Sequence, residues 1–310
     1  MLSFLPPPLL GITCILFVTL DTLIWALPVH VLAAAKLLVR NEEFQTRNAR
    51  RVMAVVRGWI GGVLLSLKLA LNITWDIKGI EGLRRDEWYF VNSNHQSWTD
   101  IVVLLRTFGN RIPLPKFFLK KELAWIPILG SAWWALDYPF MKRYSKSYLA
   151  KHPGMQGKDL ETTRKMCERY AHTPVSILNF IEGTRFTPEK HEEQKSPYRH
   201  LLKPKAGGLA FALGAMDGKI KKILDVTILY PDGPARFWDF LCGRVSRIVV
   251  RVKEHIIPEE FLRGDYMGDE QFRANFQAWV RDMWHKKDDL LEELVAEYGG
   301  GAPGRRNRTA

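Results

Sequence analysis

Hydrophobic positions are spread unevenly along the chain, and the unevenness divides it. Residues 9–27 form a nearly unbroken apolar run interrupted only by Asp21. About 19 residues at about 1.5 Å each span about 28 Å, close to the ~30 Å hydrocarbon core of a bilayer. Pro6, Pro7 and Pro8 mark a sharp start, and Pro28 marks a kink or an end. A cleaved leader would want basic residues ahead of the run, and the first one is Lys36. An uncleaved anchor is therefore the preferred reading. Asp21 counts against it, at roughly 2.5–3.5 kcal/mol for a mid-bilayer carboxylate, unless it faces a neighbouring helix or is protonated. A second apolar stretch, residues 58–71, is shorter and contains Lys68, which favours an interfacial or re-entrant helix over a span. Gly58-x-x-x-Gly62 within it would let it pack closely on the first helix.

From residue 73 onwards short extended runs alternate with helical ones. Residues 73–78, 88–92, 175–181, 223–230 and 247–252 read as strands, rich in aromatic and β-branched side chains. Residues 116–119 read as a further strand followed by a helical turn through Trp125. Helical patterns cover residues 99–107, 159–171 and 207–216. This alternation predicts an α/β fold, a mixed and mostly parallel sheet flanked by helices, preceded by N-terminal membrane-anchoring helices. Near the C-terminus Phe272, Phe276, Trp279, Met283, Trp284, Leu291 and Leu294 recur at helical spacing with charges between them. Such a helix docks on the core in preference to a membrane surface. The expected divisions are 1–72 for the hydrophobic helices, 73–298 for a catalytic domain and 299–310 for a disordered tail.

Charge sharpens this picture. The 310 residues carry a formal net charge of +12, which favours an anionic partner, either nucleic acid or an anionic lipid surface. The basic residues are dispersed behind a hydrophobic anchor, so nucleic acid is disfavoured. Lys36, Arg40, Arg47, Arg50, Arg51 and Arg57 all follow the first apolar run, which places the rest of the chain on the cytoplasmic side. The three cysteines, Cys14, Cys167 and Cys242, are scattered and form no Cys-x-x-Cys pair, so no zinc site or disulfide framework is implied, and no cofactor is expected. No Gly-x-Ser-x-Gly elbow occurs, which disfavours a serine hydrolase.

Two polar clusters stand out against the apolar strands. In the first, Asn92-Ser-Asn-His-Gln-Ser-Trp-Thr-Asp100 follows a strand and opens a helix. With Ser97 as N-cap, Asp100 falls at the third helical position and leans back over the turn bearing His95. A carboxylate there would take the Nδ1 proton of His95 and leave Nε2 as a base. The same spacing is a capping box, in which Asp100 would only satisfy backbone donors. In the second cluster an apolar strand ends abruptly in Glu182, Gly183, Thr184 and Arg185. Polar groups beyond a strand's carboxyl end are where open α/β sheets place their sites. Gly183 would permit positive φ or close approach of a ligand, and Arg185 offers a fork suited to phosphate. Glu182 would orient Arg185 or bond a substrate hydroxyl. An ordinary surface turn with a Glu–Arg pair is the competing reading.

Together the clusters resemble one family. Asn94-His95-x-x-x-x-Asp100 is similar to the His-x4-Asp motif of glycerolipid acyltransferases, and Phe180-Ile-Glu-Gly-Thr-Arg185 to their Phe-Pro-Glu-Gly-Thr-Arg motif. Between them Lys120-Lys-Glu-Leu-Ala-Trp-Ile-Pro-Ile-Leu-Gly130 looks like the family's basic pair leading to Pro-x-x-Gly. The resemblance covers residues 73–231 and is greatest to 1-acylglycerol-3-phosphate acyltransferases, especially a bacterial inner-membrane subgroup. It departs at Ile181, where the family has proline, and at Val226-Thr-Ile-Leu-Tyr-Pro231, where a Val-Pro-Val-like motif is usual.

The resemblance implies acyl transfer from acyl-CoA or acyl-carrier protein to the free hydroxyl of a lysophospholipid, foremost 1-acylglycerol 3-phosphate. His95 would be the general base and Asp100 its support, with no covalent acyl-enzyme. Glu182, Gly183, Thr184 and Arg185 would bind the acceptor, helped by Lys120 or Lys121, while Pro127 and Gly130 would shape their loop. Lys205, in the basic insertion 189–205, reads as part of a solvated loop in preference to a phosphate ligand. The rival functions are transfer to another lysolipid or a lipid A-type acceptor, and a catalytically silent membrane scaffold.

Overall fold

The computed structural model describes the chain except residues 1, 3, 40, 118, 127–128, 139, 142–169, 171–172, 235 and 300–310, and the side chains of Lys120, Lys121, Leu129 and Met141. The helix expected at 159–171, apart from Tyr170, and the tail beyond Gly299 lie outside the described residues.

Among the described residues the main sheet has six strands: β1 (Thr74–Lys78), β2 (Tyr89–Ser93), β3 (Pro115–Lys116), β6 (Ser176–Asn179), β7 (Lys222–Leu229) and β8 (Arg247–Ile256). Their order is β1-β8-β7-β2-β6-β3, and every pairing is parallel except β7 with β8. All five residues of β2 are buried, as a central parallel strand covered on both faces requires. Its side chains alternate between two cores: Phe90 faces one with Ile177 and Ile223, and Tyr89 and Val91 face the other with Leu224 and Val226. The residues expected as one strand at 116–119 fall into two pieces. Lys116 ends β3, while β4 (Leu119–Lys120) pairs with β5 (Phe140–Met141) in a separate two-stranded sheet.

Helices cover both faces. The helices α3 (Thr99–Phe108) and α4 (Leu129–Ala135) follow β2 and the turn at Lys121–Trp125, and α5 (Pro188–Glu193) follows β6. Next come α6 (Ala206–Met216), α7 (Phe237–Leu241), α8 (Glu259–Leu262) and α9 (Glu270–Tyr298). The last of these docks on the core as its periodicity predicts, burying Phe276, Val280, Met283, Trp284, Leu291 and Leu294. It also buries Lys287 and Asp288, which periodicity does not anticipate.

The N-terminal region differs from its hydropathy reading in two respects. Helix α1 runs from Pro7 to Leu38 and continues past Pro28, whose missing N–H costs one helical bond and does not end the helix. Helix α2 runs from Glu42 to Ala70, far beyond the apolar stretch, started by Asn41, whose side chain accepts from Phe44 N at 3.0 Å. Both helices are long and apolar enough to cross a membrane by length and composition. They pack closely through the two glycines: a Cβ on Gly58 would stand 2.3 Å from the Trp25 ring, and one on Gly62 2.0 Å from Asp21 Oδ1. Asp21 faces α2 and accepts from Trp25 Nε1 at 3.1 Å. Helix α1 lies along the sheet domain. Gly11 leaves room for Cys242 and Trp238 of the α7 region, and at the far end Lys36 Nζ pairs with Asp137 at 2.8 Å. Leu16, Leu20, Leu23 and Leu27 form its exposed apolar side.

Candidate active site

The site follows from strand register. Strands β2 and β6 are parallel neighbours with Asn92 opposite Asn179, so the segments that leave their carboxyl ends emerge side by side. The side chain of Asn94 prolongs the sheet beyond β2, donating to Ile228 O at 2.9 Å and accepting from Ile228 N at 2.8 Å. This fixes the position from which His95 departs.

His95 Nδ1 donates to Asp100 Oδ2 across 2.8 Å. The same oxygen accepts from the backbone N–H of Gln96 (2.7 Å) and Ser97 (2.9 Å), and Asp100 is fully buried. Ser97 Oγ in turn accepts from Thr99 N at 3.1 Å, and Trp98 already has helical dihedrals. Capping and support of the imidazole are thus performed by one carboxylate. Its other oxygen accepts from Tyr230 Oη at 2.6 Å. Burial and the neighbouring Asp100 charge hold the Tyr230 phenol well above its ordinary pKa, so it remains a donor. The His95 ring stacks on Phe180, with centroids 3.9 Å apart and planes inclined by 16°. Its side chain is 15% exposed, with no partner for Nε2 among the described residues. A carboxylate on Nδ1 fixes the tautomer in which Nε2 has a lone pair.

The second cluster divides by direction. Glu182 does not meet Arg185 or face the solvent. It is fully buried, with Oε1 accepting from His95 N (2.9 Å) and Oε2 from Leu202 N (3.1 Å). Burial pushes its carboxyl up to about 8 against the pull of those two N–H groups and Lys287. The expected contact of Glu182 with arginine is replaced by a tie between the His95 loop and the 196–203 segment. Gly183 takes φ +71° and leaves room for the Lys205 side chain. Arg185 is exposed, with its guanidinium 5.2 Å from the Trp98 ring centroid. Thr184 Oγ1 accepts from Lys190 Nζ at 2.7 Å. Phe186 N donates to His95 O at 2.7 Å and closes the turn against the histidine.

Of the intermediate motif, Lys120 ends β4 and Lys121 opens the turn that follows; their side chains, and Pro127, lie outside the described residues. Gly130 is packed too tightly for any side chain, since a Cβ would stand 2.1 Å from Ala124 O.

Below this site lies a buried polar layer. Asn92 Nδ2 donates to Asp225 Oδ1 (2.6 Å), and Lys287 Nζ from α9 sits 3.0 Å from the same oxygen and donates to Val226 O at 2.5 Å. Burial lowers the Lys287 pKa, and Asp225 opposes that fall. An apolar cavity of about 240 Å³ opens between the N-terminal helices and α3, lined by Trp25, Val29, Ile101, Leu104, Trp133 and Leu136. Among the described residues no group of His, Cys, Asp and Glu side chains could hold a metal ion.

The acyltransferase family model matches residues 75–230, half of the chain. The chain belongs to the acyltransferase family. It is 23% identical over 239 residues to the 2-acyl-1-lysophosphatidylinositol acyltransferase of Saccharomyces cerevisiae, covering 66% of this chain and 60% of that protein. It is 25% identical over 248 residues to 1-acyl-sn-glycerol-3-phosphate acyltransferase 3 of Arabidopsis thaliana, covering 74% and 59% respectively. The chain thus spans about six-tenths of the length of these relatives. The crystal structure of the 1-acyl-sn-glycerophosphate (LPA) acyltransferase PlsC from Thermotoga maritima aligns with 89% of this chain and 98% of that one, at a TM-score of 0.48 and 17% identity.

Residues outside the sequence-derived site complete it: Tyr230 on Asp100, Phe180 under His95, Asn94 on β7 and Trp98 under Arg185. Phe180 and Asn94 belong to the two matching motifs and Tyr230 to the departing segment Val226–Pro231, which the pairing of β7 with β2 brings to the site.

Proposed function

We propose that the protein transfers a fatty acyl group from a thioester, acyl-CoA or acyl-carrier protein, to the free hydroxyl of a lysophospholipid, foremost 1-acylglycerol 3-phosphate. The observation that supports this best is the His95–Asp100 pair, with Nε2 free, on the loop held against the Gly183–Arg185 turn. His95 Nε2 takes the proton of the acceptor hydroxyl as its oxygen attacks the thioester carbonyl. The tetrahedral intermediate collapses, the C–S bond breaks, and the departing thiolate takes the proton from the imidazolium. Asp100 holds the ring throughout and offsets its transient charge. Arg185 meets the acceptor phosphate, with Gly183, Thr184, Lys120 and Lys121 around it, and Glu182 serves by fixing the loop of His95. The apolar cavity beside α3 houses an acyl chain.

Residues 73–298 form the catalytic unit on this reading, and residues 1–72 hold it in the membrane, with 299–310 as a tail. The exposed apolar side of α1 enters the bilayer, and the basic residues that follow meet anionic lipid on the cytoplasmic side, about 1 kcal/mol for each well-placed cation. A bacterial inner membrane is the compartment that the sequence resemblance favours.

The test is transfer of labelled acyl groups from acyl-CoA and acyl-carrier protein to a panel of lysolipids by the purified full-length protein. His95→Ala is expected to lower kcat about 10²–10⁴-fold with the fold retained. Full activity of that variant would remove the mechanism, and activity on lysophosphatidylinositol alone would move the acceptor.

A further inference from the structure

Lys205 belongs to an insertion that reads as a solvated loop, yet its backbone is fastened to the site. Lys205 N–H donates to Ile181 O at 2.7 Å, and Leu202 N–H, three residues earlier, donates to Glu182 at 3.1 Å. Helix α9 holds the same segment from behind. Trp284 Nε1 donates to Leu202 O at 2.9 Å, and Asp288 accepts from the N–H groups of Arg199 and His200 at 2.7 and 2.9 Å. Immobilising the backbone in advance spares the backbone share of the entropy that a loop lysine would lose on binding a ligand.

The side chain then runs over Gly183. A Cβ built on that glycine would stand 3.0 Å from both Cδ and Nζ of Lys205. Among the described residues Lys205 Nζ meets no carboxylate and no hydrogen-bond acceptor, and the Arg185 guanidinium meets only the Trp98 ring. Two cations without counter-ions therefore flank one short turn. Lys190 Nζ adds a third positive charge at Thr184 Oγ1 and Arg185 O. Helix α6 starts directly after Lys205 with no side-chain cap and no acidic residue in its first turn, so the positive end of its dipole adds to the same field.

We propose that Lys205 is a second phosphate ligand beside Arg185, and that this pair selects acceptors with a phosphomonoester headgroup over those with a phosphodiester. A phosphomonoester carries close to two negative charges at neutral pH and three unesterified oxygens, whereas a diester carries one charge and two. A guanidinium fork occupies two oxygens, and an ammonium lying over Gly183 takes the third. The inference rests on the acyltransferase reading above, and its test has an arm that does not need turnover.

The experiment measures acceptor KM for 1-acylglycerol 3-phosphate and for lysophosphatidylcholine with the full-length protein, as wild type, Lys205→Met and Lys205→Arg. Binding of radiolabelled 1-acylglycerol 3-phosphate is measured in parallel on His95→Ala and on His95→Ala with Lys205→Met. The expected result is at least a tenfold rise in KM for the phosphomonoester in Lys205→Met, at most twofold for the diester, and recovery in Lys205→Arg. The dissociation constant in the His95→Ala background rises at least tenfold on adding Lys205→Met. Equal losses on both acceptors, or unchanged binding, overturn the assignment of Lys205 while leaving the acyltransferase reading in place. A rise confined to the KM of acyl-CoA, absent with 3′-dephospho-CoA thioesters, overturns it in favour of the donor's phosphate. If no lysolipid is acylated but binding still depends on Lys205, the anion site stands and the enzymatic reading falls.

Discussion

Glu182 and Arg185 lie three residues apart at the end of one strand, and they face opposite ways. The carboxyl layer below the turn is buried and internally hydrogen-bonded: Asp100 accepts from three backbone or ring N–H groups and a phenol, Glu182 from two backbone N–H groups, and Asp225 from Asn92 and Lys287. The cation rim above it, Arg185 and Lys205, is exposed and has no counter-ion among the described residues. Buried charges must be paired to be tolerated; exposed unpaired ones remain free for a ligand. On the proposed reading the lower layer sets geometry, and the rim recognises the acceptor's anion.

The largest effect expected from disturbing the lower layer comes from Lys287→Met. It strands Asp225 unpaired in the core, and unfolding should lose about 3–5 kcal/mol of stability; adding Asp225→Asn should recover more than half of it. Denaturant melts in detergent would read this, and an unchanged midpoint would show that the pair is not buried in solution. Glu182→Ala orphans the N–H groups of His95 and Leu202, at about 1–3 kcal/mol each. Its activity loss should fall on kcat, and a defect confined to acceptor KM would instead put Glu182 among the substrate contacts.

The same residue predicts a pH dependence. The folded protein holds the Glu182 proton up to about 8, whereas the unfolded chain releases it near the ordinary value of 4.5. Between those values the folded state binds more protons, so stability falls as pH rises through the window. Thermal midpoints should decline from pH 5 to pH 8 in the wild type and decline less in Glu182→Gln, the neutral isostere; parallel profiles would contradict the buried carboxyl. On the rim, Arg185→Ala should raise acceptor KM about tenfold while leaving stability within about 0.5 kcal/mol. Trp98→Ala should raise it least, about two- to fivefold, the equivalent of an exposed cation–π contact of about 0.5–1 kcal/mol. Loss of stability in either rim variant would erase the distinction between rim and layer.

Much of the site was legible because its geometry is local. The His95–Asp100 hydrogen bond follows from five-residue spacing across a helix start, and the capping reading and the base-support reading converge on one oxygen. Gly58 and Gly62 likewise announced the close approach of α2 to α1. The orientation of Glu182 was not legible, because it depends on Leu202 arriving from a segment twenty residues away. The length of α2 was missed because hydropathy changes sign within the helix, although helical hydrogen bonding does not depend on polarity. Lys205 is exposed, as a solvated loop requires, but local composition takes no account of Trp284 and Asp288, which fasten the loop from behind.

By itself the sequence determined the α/β alternation, the docking face of the C-terminal helix and the residues of the two motifs. Each depends on the period of one element or the reach of one turn. Tertiary structure decided which motif residues turn inward, which strands set the two loops side by side, and what stands behind them. Those outcomes depend on register between strands far apart in the chain. Composition does not encode register; packing of both sheet faces does.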